Sequence, residues 1–301
     1  MRSRPAPRRS GRASTVALAT TALVVVAVVA IIAVDVATGA GSSAGSSAVT
    51  ATPMAPAPAS LVSEVEDVPP SVQDAVGGWS AVGVPDPSYL AAPTMLKHPT
   101  ALHVAPGTEP QVLYVGGEFC PFCAAARWAL VLAMSRFGTV SGLAQAASSP
   151  WDQFPRTPTF SFIHARYHSR YVTFVPVEHY GQDVDGAGTH TVLQPLSAAE
   201  RSAWSRYGTV SGVAGVPFID VAGRVVVAGA PIEPALLHGM RPAAVAAAMH
   251  RPASPVARAV VGTADSLVAG VCAADGERPT TVCQNPGVRV AASAMGIRQP
   301  A

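Results

Sequence analysis

The sequence predicts an α/β domain outside the cytoplasm, carried behind one hydrophobic segment near the N-terminus. Short runs rich in β-branched and aromatic residues alternate with longer Ala- and Leu-rich runs that lack glycine and proline, which indicates strands alternating with helices. An uncharged run of 19 residues, 16–34, is long enough to span a bilayer. With 301 residues, 49% of them hydrophobic, the chain can bury a sizeable core.

The charges around this apolar run predict its orientation. Residues 1–15 carry five arginines and no acidic residue. Because positive flanks stay on the cytoplasmic side, we predict a cytoplasmic tail at 1–15, a single membrane span at 16–34, and an extracytoplasmic remainder. The alternative is a cleaved signal peptide, whose apolar core is usually shorter. The length of the run favours a retained anchor.

The composition then sets the expected domain boundaries. Residues 35–60 are rich in Gly, Ser, Ala, Thr and Pro and predict a flexible linker. The folded domain is expected at 61–290, followed by a C-terminal tail at 291–301. The net charge of +2 is carried by the N-terminal arginines, and no basic patch that would predict nucleic-acid binding follows them.

Local patterns predict the order of elements within the domain. The predicted elements are strands at 100–104 and 111–115, a helix at 123–137 ending at a left-handed Gly138 cap, two strands within 160–177, a helix at 197–208 with Ser197 and Glu200 in capping-box spacing, a β-hairpin within 213–229, and an Ala-rich helical tail from Pro234.

Two cysteines separated by Pro121 and Phe122 lie where the predicted strand gives way to the long helix. This spacing places Cys120 at the helix N-terminus, where unpaired N–H groups and the helix dipole favour a thiolate. Pro121 suits the first helical turn because its missing N–H would have no partner there. Cys123, one turn further along, is expected to be more shielded. The arrangement predicts a redox pair in which Cys120 attacks and Cys123 resolves the mixed disulfide.

Metal and haem sites are less well supported by the same residues. A zinc site would need Cys272 and Cys283 as further ligands, yet these lie far along the chain and are not in knuckle spacing. Haem attachment would need histidine at position 124, which is alanine. His164 and His168 lie in a strand-like segment and do not share a helix face. We therefore predict no metal and no cofactor.

The motif order resembles the thioredoxin-like superfamily: a strand, "CPFC", a long helix, then "GVPF" with a hairpin and a terminal helix. The resemblance implies a three-layer α/β fold with an N-terminal extension, an insertion before the proline loop and an Ala-rich helical C-terminus. It also implies that Pro217 follows a cis peptide bond and lies beside the cysteines. Val216, Pro121 and Phe122 would then contact the substrate.

A narrower resemblance covers residues 65–285. Segments such as "VLYVGGEFCPFC", "YVTFVPVEHYG" and "GVPFIDVAGRVVVAGA" are similar to a family of membrane-anchored thioredoxin-like proteins catalogued as a domain of unknown function. This resemblance implies a fold and a redox-capable site, but it implies no particular substrate.

Several polar residues allow two interpretations. Glu118 could accept the proton of the resolving thiol, or it could be a solvated carboxylate, which we favour. Arg127 could stabilise a thiolate, but an exposed helix arginine is more common. Cys272 and Cys283 bracket a polar turn, and an oxidising compartment favours a structural disulfide between them. The alternative is a second redox pair that exchanges electrons with Cys120 and Cys123.

Together these observations predict a membrane-tethered thiol-disulfide oxidoreductase outside the cytoplasm. Its partners would be cysteine-containing exported proteins and a redox partner in the membrane. The alternative hypothesis is a catalytically idle binding module at the cell surface. The sequence leaves the direction of electron flow open.

Overall fold

The computed structural model describes residues 54–82, 87–97, 109–210 and 213–298. The predicted cytoplasmic tail, the predicted membrane span, the linker as far as residue 53 and the strand predicted at 100–104 lie outside the described residues. The chain is a mixed α/β protein, as the sequence predicts.

The strands in chain order are β1 (Thr94–Met95), β2 (Gln111–Gly117), β3 (Gly138–Ser141), β4 (Ala144–Ala147), β5 (Pro158–Ser161), β6 (Arg166–Ser169), β7 (Thr173–Val184), β8 (His190–Val192), β9 (Thr209–Val210), β10 (Val213–Ala214), β11 (Phe218–Val221) and β12 (Val225–Ala228). The helices are α1 (Ala59–Glu66), α2 (Pro70–Val76), α3 (Pro121–Ser135), α4 (Ala198–Tyr207), α5 (Pro242–Met249), α6 (Pro255–Asp275), α7 (Thr280–Cys283) and α8 (Pro286–Ala294). Two short 3₁₀ helices lie at Pro87–Tyr89 and Pro234–Leu236.

Six strands form the central mixed sheet, in the order β1-β12-β11-β2-β7-β8. Strand β2 pairs in parallel with β7 and antiparallel with β11, so it lies at the centre of the sheet. The residues from Val112 to Val115 are fully buried, and their continuous apolar run fits a strand covered on both faces. Shorter two-stranded pairs, β3 with β6, β4 with β5 and β9 with β10, lie outside this sheet.

Helices α3 and α6 pack against each other and against the sheet. Nearly every residue of α3 is buried, which explains why its sequence is apolar on all sides. Glycine at 270 allows α6 to approach Val221 and Val225 closely, because a Cβ there would already touch both side chains. Helix α6 is long and apolar enough to cross a membrane, but 89% of its apolar window is buried inside the domain. It therefore serves as a core helix here.

The folded part begins earlier than predicted. The Ala57 N–H donates to the Leu143 carbonyl at 2.9 Å, and the Gln145 N–H donates to the Ala55 carbonyl at 2.9 Å. Helix α1 starts at Ala59, inside the segment expected to be linker. The boundary at residue 61 was wrong because backbone pairing with β4 needs no apolar side chains, so composition alone does not reveal it.

Most predicted elements within the described residues are confirmed. The strand at 111–115 and the hairpin of β11 and β12 are present, and α4 begins with a capping box between Ser197 and Glu200. The left-handed cap at Gly138 was wrong, since α3 ends at Ser135 and Gly138 opens β3. That glycine is needed for close strand approach, because a Cβ there would clash with the His168 carbonyl.

The region 160–177 also differs in its pairing. It holds the end of β5, all of β6 and the start of β7, and these pair with β4, β3 and β2 respectively. The strand propensity was therefore recognised, but the partners are distant in sequence and could not be predicted from local pattern. The predicted helical tail is confirmed as α5 to α8, and α8 extends into the expected C-terminal tail.

Candidate functional site: a buried dithiol at one end of the central sheet

The C-x-x-C pair lies where β2 ends and α3 begins. Cys120 is the N-cap of α3, and its Sγ accepts the Cys123 N–H at 3.3 Å. Pro121 occupies the first helical position, where no backbone N–H is required. The predicted placement of Cys120 at the helix N-terminus is confirmed.

Both thiols are free, and they differ in depth. The exposed fraction is 4% for Cys120 and 0% for Cys123. The Cys123 Sγ accepts the Gly117 N–H at 3.4 Å from the end of β2. Burial, and then the contact with Cys120, raise the pKa of the Cys123 thiol well above its usual value. The expected shielding of Cys123 is thus confirmed. Cys120 is also buried, although the role of attacking thiol would need it to be accessible.

Pro217 lies at the same end of the sheet as the cysteines. The Val216–Pro217 peptide bond is cis, as the resemblance implies. Strand β11 pairs Phe218 with Val115, so Pro217 stands opposite Gly116 at the end of β2. The register therefore brings the proline loop beside the segment that leads into Cys120.

A buried ion-pair cluster lies beneath the dithiol. Arg127, one turn beyond Cys123, is fully buried and donates to Glu178 through Nε at 2.8 Å and through Nη2 at 2.6 Å. The same Nη2 donates to the Gly117 carbonyl at 3.0 Å and lies 3.5 Å from the Glu118 carboxylate. The interpretations of Arg127 as an exposed helix arginine and of Glu118 as a solvated carboxylate were both wrong. Each side chain is buried because the other supplies the opposite charge.

The electrostatics of this cluster follow from its depth. Burial raises the pKa of Glu178 to about 7, although the Arg127 guanidinium opposes the shift. Burial would lower the pKa of Arg127, but Glu178, Tyr114 and Glu118 together outweigh burial and the pKa is raised, so the guanidinium remains charged. A permanent positive charge therefore lies beneath Cys123, where it favours any anion that forms.

Aromatic side chains lie next to the C-x-x-C segment. Phe122 contacts Tyr89 and Phe154 edge-on, with ring centroids 6.4 and 6.0 Å apart. The Ser149 N–H donates to the Phe119 carbonyl at 2.8 Å, so the segment from Ser149 to Phe154 is held at both ends to the C-x-x-C segment. Trp151 lies on this segment and is 92% exposed. We call Tyr89, Phe122, Trp151 and Phe154 the aromatic rim.

The second cysteine pair is bonded and lies at the other end of the sheet. Cys272 and Cys283 form a disulfide with Cα atoms 5.6 Å apart. Gly270, two residues before Cys272, contacts Val221, which pairs with Val112 at the start of β2. About six residues of strand, roughly 20 Å, thus separate this disulfide from the C-x-x-C end. The geometry favours a structural bond over a direct electron relay.

Other ionisable groups form no metal site in the described residues. No group of three or more His, Cys, Asp or Glu side chains is placed to hold an ion there. His164 and His168 are exposed, with His168 paired to Thr139 in the β3–β6 ladder.

Sequence reasoning missed Glu178, Tyr114 and the aromatic rim. Glu178 is the one carboxylate inside an otherwise apolar strand segment, "TFVPVEHY", which is a usable signal for a buried charge with a partner. Trp151 carried no such signal because an aromatic residue in a proline-rich loop is equally compatible with the core.

The fold and the site define an α/β domain that holds a C-x-x-C dithiol over a buried ion pair. Residues 99–273, more than half of the chain, match the family described as a domain of unknown function (DUF929), and the chain belongs to this family. No curated protein and no solved structure matches the chain.

Proposed function

We propose that the chain is a thioredoxin-like thiol-disulfide oxidoreductase, tethered to the membrane and acting outside the cytoplasm on cysteines of exported proteins. The observation that carries the proposal is a free dithiol at the N-terminus of a buried helix, with a cis-proline loop at the same sheet end. A disulfide elsewhere in the chain supports an oxidising compartment. The tether at residues 16–34 is proposed on its sequence alone.

In the reductive direction, the Cys120 thiolate attacks one sulfur of a substrate disulfide. The Cys120–substrate bond forms, the substrate S–S bond breaks, and the released thiolate takes a proton. Cys123 then loses its proton and attacks the Cys120 sulfur, so that the Cys120–Cys123 disulfide forms and the second substrate thiol leaves. Two electrons and two protons pass to the substrate, and the oxidative direction reverses every step.

Buried charges support the resolving step. The Cys123 proton needs an acceptor that is not bulk water, since this thiol is fully buried. Glu118 follows Gly117, whose N–H contacts Cys123, and Glu118 is 3% exposed. We assign Glu118 the role of carrying this proton towards solvent.

The aromatic rim supports a polypeptide substrate. Trp151 is 92% exposed on the segment that is held against Phe119 and Phe122, and it exposes apolar area that a partner can cover. Val216 and Phe122 are half-buried and complete the proposed contact surface, on which the Pro217 loop presents backbone to an extended chain. Pro121 is buried in the first turn of α3 and is left out of this surface. The substrate would carry an apolar side chain next to its cysteine.

A binding module without turnover is the second candidate, and one observation favours it. Cys120 is only 4% exposed, which limits access by a large disulfide. The two candidates differ in whether the dithiol cycles.

The deciding experiment is a redox titration of the full chain in detergent, with alkylation and mass spectrometry to assign each cysteine. The enzyme predicts one two-electron couple at Cys120 and Cys123, with a potential between about −270 and −120 mV, while Cys272 and Cys283 stay bonded. Turnover of a disulfide substrate should disappear in Cys120→Ser. If the dithiol neither titrates nor turns over a substrate, the binding module is the candidate function that remains.

A further inference from the structure

Two hydrogen-bond donors beneath the dithiol have no acceptor. Within the described part of the chain, Tyr114 Oη and Arg127 Nη1 are buried and make no hydrogen bond. Both residues are 0% exposed. Such groups are rare in folded proteins because an unpaired buried donor is costly, so two together in one place call for an explanation.

In strand β2, the tyrosine hydroxyl lies over Gly116, next to the residue that contacts the resolving thiol. Side chains two residues apart share one face of a strand, so the Tyr114 ring extends over Gly116. A Cβ at position 116 would clash with the Tyr114 hydroxyl, which means that glycine makes room for it. The next residue, Gly117, donates its N–H to the Cys123 Sγ at 3.4 Å. The hydroxyl and the thiol therefore lie at consecutive residues of the same strand end.

The second donor lies close to the tyrosine ring. The Arg127 guanidinium carbon is 5.9 Å from the centroid of the Tyr114 ring, and Nη2 is already used by Glu178 and Gly117. Nη1 makes no hydrogen bond in the described structure. Besides these two residues, the ionisable groups around Cys123 are Cys120, Glu118 and Glu178.

The proposed reaction forms a thiolate at Cys123, and this anion needs hydrogen-bond donors. Cys123 must become a thiolate to attack Cys120, and burial disfavours that anion. In the described structure its sulfur accepts only one backbone N–H from the strand. Hydrogen bonds to an ionised acceptor are about twice as strong as neutral ones. Donors that are unpaired and costly beside the thiol would therefore stabilise the thiolate.

We propose that Tyr114 is a positioning residue that stabilises the thiolate form of Cys123 through its hydroxyl, with Arg127 Nη1 as the second donor. The proposal rests on the redox function only in naming Cys123 as the resolving thiol. The preference for a thiolate is a property of the resting protein and is measured without turnover.

The test uses the full chain with Cys120→Ser, in which Cys123 is the single free thiol. The β-carbon NMR signal of carbon-13-labelled Cys123 is followed against pH in this background and in Tyr114→Phe added to it. Loss of the hydroxyl should lower the thiolate fraction at fixed pH about tenfold, which corresponds to one pKa unit. The melting temperature should not fall, because Phe keeps the ring and removes an unpaired polar group.

Tyr167→Phe is the matched control. The Tyr167 hydroxyl donates to the Met134 carbonyl at 3.0 Å, at the far end of α3. Its removal should lower stability and leave the thiolate fraction unchanged. Gly116→Ala is the second variant, since its Cβ displaces the Tyr114 hydroxyl and should lower the thiolate fraction in the same direction.

The outcomes separate the two proposals. A thiolate fraction in Tyr114→Phe within twofold of its parent overturns the role of Tyr114, whatever the turnover. A tenfold loss in a protein that reduces or oxidises no substrate would support the thiolate site and count against the enzyme.

Discussion

The two cysteine pairs of this domain lie at opposite ends of one sheet and have opposite surroundings. Cys120 and Cys123 remain free above a buried arginine, two carboxylates and a tyrosine hydroxyl. Cys272 and Cys283 are bonded, and the side chains that they join belong to helices α6 and α7. The same residue type thus serves chemistry at one end and cross-linking at the other.

The difference lies in what each bond would restrain. A disulfide across three residues at a helix start removes few conformations from the unfolded chain, whereas one across 11 residues removes more. The neighbours differ too, because the free pair lies over a fully buried arginine and two buried carboxylates, whereas the charges near the bonded pair are the half-buried Glu277 and the exposed Arg289. Sequence separation and nearby charge, rather than compartment alone, distinguish the two roles.

Arg127→Met tests the charged end and should give the largest loss of stability. The substitution leaves Glu178 buried without its guanidinium, which costs about 3–5 kcal/mol. Chemical denaturation monitored by circular dichroism measures it. The double variant Arg127→Met with Glu178→Leu should recover part of the loss, since Glu118 is then the one buried charge of this cluster that remains. A single variant as stable as the parent would mean that the pair is solvated in solution.

Cys283→Ser tests the bonded end. Removing the cross-link should lower the free energy of unfolding by about 3 kcal/mol. The redox titration of Cys120 and Cys123 should be unchanged, because the pairs lie at opposite sheet ends. If the potential of Cys120 and Cys123 shifted while the stability stayed the same, the disulfide between Cys272 and Cys283 would not be structural. The electron relay between the two pairs would then be supported.

The contrast between the ends was only partly predictable from sequence. The C-x-x-C pair, its place at a helix start and the Pro217 loop follow from local motifs, and the structure places all three at one sheet end. The partner of Arg127 could not be predicted, since Glu178 is 51 residues away and its contact depends on the β2–β7 register.

One signal for the buried arginine was nevertheless available. Arg127 is the one charged residue in a helix that is apolar on every side, so α3 has no polar face through which a charge could reach water. The general tendency of helix arginines to be exposed therefore does not apply to Arg127. The early start of the domain had no comparable signal, because its contacts at Ala55 and Ala57 are made by the backbone.

Asp265→Asn compares the second buried carboxyl with Glu178. Asp265 lies inside α6, accepts a hydrogen bond from Gln73 at 2.6 Å, and burial raises its pKa to about 7 although Gln73 and Arg136 oppose this. A carboxyl whose pKa is raised on folding makes its full contribution to stability below its unfolded pKa, near 4. This contribution decreases as the pH rises above 4 and is lost once the pH passes the folded pKa of about 7.

Asparagine keeps the acceptor oxygen and never ionises. The variant should therefore match the parent at pH 4 and exceed its stability at pH 7 by about 4 kcal/mol. Thermal unfolding across this pH range measures the difference. Equal pH profiles for both proteins would show that Asp265 reaches solvent. Glu178→Gln should not behave in this way, because it leaves the Arg127 charge unpaired.

Trp151→Ala tests the aromatic rim and should have the smallest effect. Loss of this ring removes apolar area that a polypeptide substrate can cover, and KM for a disulfide-bonded polypeptide should rise about fivefold, equivalent to roughly 1 kcal/mol. Turnover of a small disulfide such as hydroxyethyl disulfide should be unchanged, since that molecule does not extend to the rim. Val290→Ala is the control, because Val290 is 56% exposed on α8, outside the rim. If both substrates were affected equally by Trp151→Ala, the tryptophan would act on the dithiol itself, and the rim would lose its assignment as a substrate surface.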